Sequence, residues 1–195
     1  LSIGAHAVRR ATIQKGEYVL VIGAGPIGVG IIQFAKVAGA KVIVMDVVEH
    51  RLQFCREKLG ADYTVNALHN PIEQLKEITN GDFPTVVMDA TGNPKSMSQC
   101  VNYLAHGGRI VYIGLFIGDL AFSDIEFHKR ECTILSSRNA TIEDFDQVIR
   151  LLKIGEVKSS CMITHHSDMD HMIADFPNWL NPAQNVIKAM VHVAK

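Results

Sequence analysis

The chain has 195 residues, 48% of them hydrophobic and 20% charged, with a formal net charge of −1. That length accommodates one large domain plus an extension, with enough apolar residues for a real core. A near-neutral chain with no basic run and no aromatic–basic stripe is a poor candidate for nucleic-acid binding, and no signal peptide or targeting segment is visible.

Residues 2–12 read as a helix leading to Lys15-Gly16. The chain has no initiator Met and opens within the helix-like phrase LSIGAHAVRRA, which suggests that its natural N-terminus lies elsewhere. Tyr18 to Ile22 is apolar and rich in β-branched residues, as a strand covered on both faces requires. A glycine turn follows. Gly23 permits the tight bend, Gly25 lets a ligand approach the backbone, and Gly28 lets the next helix sit close on the sheet. Pro26 falls in the first helical turn, where its missing N–H costs nothing. The free amides of that turn suit a pyrophosphate. A second strand, Lys41 to Asp46, ends in a carboxylate 18 positions past Gly28, placed to accept from ribose hydroxyls. Strand, turn, helix, strand and acid at this spacing predict dinucleotide binding.

Two alternatives fit poorly. Residues 18–35 carry no charge, but four glycines and a proline within them argue against a membrane span. A Rossmann-like methyltransferase usually carries an acid two residues before the first glycine, where this chain has Val21.

Further along, a helix over 49–59 stops at Gly60, and 61–66 is a short third strand. Asn70 and Pro71 start a helix ending near Asn80-Gly81. Thr85 to Asp89 is a fourth strand closing in the turn Ala90-Thr91-Gly92-Asn93. A helix from Pro94 to about Leu104 precedes a fifth strand, 109–113, then a polar connection and a sixth strand, 131–136. Strands alternating with helices predict an α/β, doubly wound parallel sheet of the Rossmann type, in the order 3-2-1-4-5-6. Residues 142–154 read as an amphipathic helix, and the remainder shows no obvious core of its own. The expected division is a dinucleotide-binding domain over 1–137 and a C-terminal segment over 138–195.

Cys55, Cys100, Cys132 and Cys161 form no CxxC pair, so a zinc site built from them is not expected, and a reducing cytosol is the simplest setting. The cluster from His165 to His171 invites a metal reading. With no ligand spacing in it, a solvated loop before a helix start is the expectation.

The motifs resemble those of the medium-chain, zinc-type alcohol dehydrogenases, and within them the sorbitol and polyol dehydrogenase branch. The matching phrases are LSIGAHAVRRA, VLVIGAGPIG with AKVAGA, Asp46 with Arg51, DATG at 89–92, GGRIVYIGL at 107–115, SRNAT at 137–141 and NVIKAMVHV near the end. The resemblance implies an intact enzyme in which zinc activates a secondary alcohol of a polyol or sugar acid and NAD accepts the hydride. The zinc-bearing domain would precede this chain, and no catalytic or metal-ligating residue is expected within it. Gly23, Gly25, Pro26, Ile27 and Gly28 then match the pyrophosphate turn, Asp46 the ribose acid that favours NAD over NADP, and Arg51 the adenosine site. Thr91 and Gly92 match the cleft wall, and Ile113, Gly114 and Leu115 the backbone beside the nicotinamide. Ser137, Arg138 and Asn139 match the loop over its ribose and carboxamide, with Ser136 where a glycine is common. Lys188 matches a basic residue reaching the pyrophosphate. Relatives dimerise through the edge strand, so a homodimer is expected there. A non-catalytic dinucleotide-sensing module and a zinc-independent, quinone-reductase-like enzyme are the alternatives, and Asp46 weighs against the latter.

Overall fold

The computed structural model describes residues 1–193, which divide into two compact units, 1–157 and 158 onward. The first unit runs α1 (Ser2–Ala11), β1 (Tyr18–Ile22), α2 (Pro26–Val37), β2 (Lys41–Asp46), α3 (Glu49–Leu59), β3 (Tyr63–Asn66), α4 (Pro71–Ile78) and β4 (Val86–Asp89). It continues with α5 (Pro94–Gln99), a 3-10 turn (Cys100–Tyr103), β5 (Arg109–Tyr112), α6 (Asp124–Lys129), β6 (Thr133–Ser136) and α7 (Ile142–Lys153).

The six strands form one parallel sheet in the order β3-β2-β1-β4-β5-β6, as the alternation of strands and helices predicts. Period-two patterning gives the sheet two cores. Val19, Val21, Val42, Val44, Val86 and Met88 point to one face, where Ala7, Phe34, Leu52 and Leu151 bring α1, α2, α3 and α7 against them. Leu20, Ile22, Ile43, Met45 and Val87 point to the other, under Leu75 of α4 and the 3-10 turn. Side chains buried on both faces account for the near-continuous apolar runs of β1 and β2.

Helix α7 belongs to this unit. Asp144, fully buried, accepts from Arg9 Nε (2.8 Å) and Nη2 (3.0 Å) of α1 and lies 2.8 Å from His6 Nδ1. It also closes the capping box of α7 by accepting from the Thr141 amide at 2.8 Å. The compact unit therefore extends past residue 137 to Val157.

The expected polar connection after β5 contains a helix, α6, capped by Ser123, whose hydroxyl accepts from the Glu126 amide at 3.3 Å. Its six residues are too few to show a helical period. In the second unit, β7 (Ile163–Asp168) pairs in parallel with β8 (Lys188–His192), and α8 (Met172–Trp179) lies between them in sequence. His165 and His166 thus stand in a strand and not in the expected loop. Among the described residues of this unit only Met162 is buried.

Candidate functional site

A cleft of about 600 Å3 opens where β1, β2 and β4 end, at the point where the strand order reverses. Gly23 and Gly25 from the β1 turn, Asp46 from β2, Arg51 from α3 and Thr91 from the β4 turn all line it. The structure thus brings five of the residues singled out in the sequence to one cleft.

Local packing explains the β1 turn residue by residue. Gly23 has φ of +96°, a conformation that glycine adopts without strain. A Cβ on Gly28 would stand 1.8 Å from the Gly23 carbonyl oxygen, so α2 can approach the turn only with glycine there. Gly25 differs. Its φ is −82°, and a Cβ on it would meet nothing within 4 Å. Pro26 and Ile27 form the first turn of α2, Pro26 exposed and Ile27 packed on the core.

Asp46 clasps this turn. Its Oδ2 accepts from the Ala24 amide at 2.7 Å and its Oδ1 from the Val48 amide at 2.9 Å. Each carboxylate oxygen can accept again, so the residue keeps capacity for a ligand. The Cys55 thiol nearby is pushed up to about 12, first by burial and then by the Asp46 charge, which keeps it neutral.

On the other side, the β4 and β5 turns touch backbone to backbone. A Cβ on Gly114 would fall 2.1 Å from the Gly92 nitrogen, and one on Gly92 2.8 Å from the Leu115 oxygen. Ile113 is buried, while Leu115 stands 87% exposed. Ser137 is buried, its amide donates to Tyr112 O at 2.9 Å, and its hydroxyl has no partner among the described residues. Arg138 and Asn139 are exposed, Asn139 at φ +57°. Residues 113–115 and 137–139 do not line the cleft below Asp46. Lys188 opens β8 in the second unit, where its carbonyl accepts from Thr164 Oγ1 at 3.4 Å.

The sequence reading missed Leu68, Lys95, Ser96 and Tyr103, which also line the cleft. Asn93 was read only as part of a turn. It caps α5, its Oδ1 accepting from the amides of Lys95 (3.0 Å) and Ser96 (3.2 Å), and an Asn-Pro pair before a helix is a legible cap signal. Among the described residues no group of three or more His, Cys, Asp or Glu is arranged to hold a metal, and no helix is long and apolar enough to cross a membrane.

Comparison with known proteins agrees with this geometry. The family model described as zinc-binding dehydrogenase matches residues 26–153. L-galactonate-5-dehydrogenase of Escherichia coli K12 is 46% identical over 84% of this chain and 48% of its own length. D-xylulose reductase of Scheffersomyces stipitis is 33% identical over 76% of this chain and 41% of its own. The chain thus spans about half the length of the curated relatives it matches. Among solved structures, an alcohol dehydrogenase from E. coli CFT073 complexed with NADH superposes with a TM-score of 0.89, at 28% identity, over 98% of this chain and 57% of that one. The matched family model, the two relatives and the shared six-stranded sheet agree: this chain belongs to the zinc-binding dehydrogenase family.

Proposed function

We propose that this chain is the NAD-binding part of a zinc-dependent alcohol or polyol dehydrogenase, which moves hydride from a secondary alcohol of a polyol or sugar acid to NAD. Gly25 carries the reading. Neither its backbone angles nor protein packing requires a glycine, whereas a pyrophosphate drawn to the amides at the start of α2 does.

In this reading Gly23, Gly25, Pro26, Ile27 and Gly28 cradle the pyrophosphate. Asp46 accepts from the adenosine ribose hydroxyls with the lone pairs left by Ala24 and Val48, and its charge opposes a 2′-phosphate. Arg51 borders the adenosine end. Thr91 and Gly92 form the cleft wall. Ile113, Gly114 and Leu115 flank the nicotinamide, with Ser137, Arg138 and Asn139 over its ribose and carboxamide. The buried Ser137 hydroxyl, without a partner among the described residues, supports a polar ligand group at that end. Lys188 is assigned to the pyrophosphate on resemblance alone. Bound NAD supplies the hydride acceptor.

The metal ligands would come from the part of the relatives' length that this chain does not span. The relatives named for a sugar acid and a sugar alcohol ketose partner support the substrate class. The edge strand β6 is half-buried at Ile134 and Leu135, which supports a homodimer formed across it. Three buried thiols suit the cytosol as the working compartment.

Calorimetric titration of this chain with NAD and with NADP tests the core of the reading. NAD binding at least tenfold tighter than NADP is expected; equal affinities would count against Asp46 as the ribose acid. The intact protein, assayed with polyols and sugar acids, is expected to reduce NAD and to lose that activity on chelation.

A further inference from the structure

We propose that Asp89 is a positioning residue of the cleft, whose buried carboxylate fixes the turn from Ala90 to Ser96. The proposal rests on the dinucleotide reading above and names a residue that touches no ligand, since Asp89 is 0% exposed.

Four donors converge on it. Oδ1 accepts from the Thr91 amide at 2.8 Å and the Thr91 hydroxyl at 2.7 Å. Oδ2 accepts from the Ser96 hydroxyl at 2.6 Å and, weakly, from the Cys100 thiol at 3.9 Å. The Asp89 carbonyl meanwhile accepts from the amides of Ile113 (2.9 Å) and Gly114 (3.0 Å). One residue thereby ties the exits of two adjacent strands, and Gly92 and Gly114 bring the two turns into close backbone contact.

These four donors, one backbone amide and three side-chain groups, are all neutral, and a buried carboxylate held that way is costly compared with an apolar residue. Folding of a β-strand end does not call for it. Three of the four donors belong to Thr91 and Ser96, both of which line the cleft. The carboxylate therefore sets where two cleft-lining side chains stand and which way their hydroxyls point. Rotation of either hydroxyl toward the cleft would leave an oxygen of Asp89 short of a partner.

The test compares this chain with Asp89→Asn and Val101→Ala, by NAD calorimetry and by amide hydrogen exchange without ligand. Asparagine keeps the volume and one acceptor for Thr91 but presents Ser96 with a donor. In Asp89→Asn, NAD binding should weaken five- to tenfold, and the amides of residues 91–96 and 113–115 should exchange at least tenfold faster. Val101→Ala opens the core on one face of the sheet yet removes none of the four donors to Asp89. It should lower the melting temperature while NAD affinity stays within twofold. Equal losses of affinity in the two variants would make Asp89 an ordinary stabilising residue and overturn the proposal, as would unchanged affinity or unchanged exchange in Asp89→Asn. If the parent chain binds no NAD, the dinucleotide reading fails on its own, and the exchange data still decide Asp89. If Asp89→Asn does not fold, Ser96→Ala replaces it: faster exchange at 113–115, which make no hydrogen bond to Ser96 among the described residues, is expected, and unchanged protection there overturns the proposal.

Discussion

The methyl group that Gly28 lacks would lie 1.8 Å from the carbonyl oxygen of Gly23. No rotamer relieves that overlap, because the position of Cβ is fixed by the backbone and the oxygen it meets is a backbone atom. Gly28→Ala should therefore push α2 off the turn and destabilise the first unit by about 1–3 kcal/mol, as overpacking does. Gly25→Ala makes the informative contrast. Open space surrounds that position, so the melting temperature should fall by no more than about 2–4 °C, the effect of a poorer helix cap. NAD affinity should nonetheless drop at least tenfold. Thermal melts and calorimetry on the two variants separate a glycine needed for packing from one needed by a ligand.

Asp144 makes a second prediction, in acid. The Arg9 hydrogen bonds, foremost, with those of Thr141 and His6, hold its carboxyl well below the usual carboxylate range against the opposing effect of burial. A depressed folded-state value means that the contribution is complete above the unfolded value, near pH 4, and is lost as pH falls through the folded value. The unfolding free energy of the parent chain should accordingly decline from about pH 4 downward. Asp144→Ala should cost about 1–3 kcal/mol at neutral pH and flatten that decline. Urea melts between pH 2 and 7 read both effects; an unaltered acid slope would mean that the cluster does not join α1 to α7 in solution.

How far the sequence revealed this arrangement depended on how local each signal was. Strands β1 and β2 and helix α3 fall where the apolar runs and Gly60 predict them, because period, β-branching and a glycine stop all lie within a dozen residues. Helix α6 was invisible for want of length, and β7 because ITHHSD carries too few apolar residues to mark a strand. The placement of α7 was hidden for another reason: Asp144 looks like any acid in a first helical turn, and its partner Arg9 lies 135 positions away. In the cleft, residues with a motif were legible and Lys95, Ser96 and Leu68 were not. They become neighbours of Asp46 only once the sheet has gathered the ends of separate strands.

Thiol chemistry offers a third check. Burial raises the thiols of Cys55, Cys100 and Cys132 above the ordinary range, foremost in each case by desolvation. Cys161 is only half-buried. At pH 7.5 the native chain should release about one equivalent of thionitrobenzoate quickly with Ellman's reagent, and four after denaturation, matching its four cysteines. Fast reaction of two or more thiols in the native chain would show that the core beneath the cleft opens readily.

The proposed dimer can be tested at the open edge of β6. Thr133 and Ser137 donate their amides inward, to Gly108 and Tyr112, so alternation turns the amides of Ile134 and Ser136 outward. Ser136→Pro removes one outward donor from an exposed position. Light scattering should show a dimer for the parent chain and a shift toward monomer for the variant. A parent chain that is monomeric at micromolar concentration would sink the edge-pairing idea.

Asp46 holds the Ala24 amide with one oxygen and the Val48 amide with the other. For a cleft that takes a dinucleotide, this double duty constrains any redesign of coenzyme choice. Exchanging the acid for a neutral residue to admit a phosphorylated ribose would also unfasten the loop meant to grip the pyrophosphate. Preference and grip are therefore coupled at this position, and a successful switch would need a second substitution to tether Ala24 again.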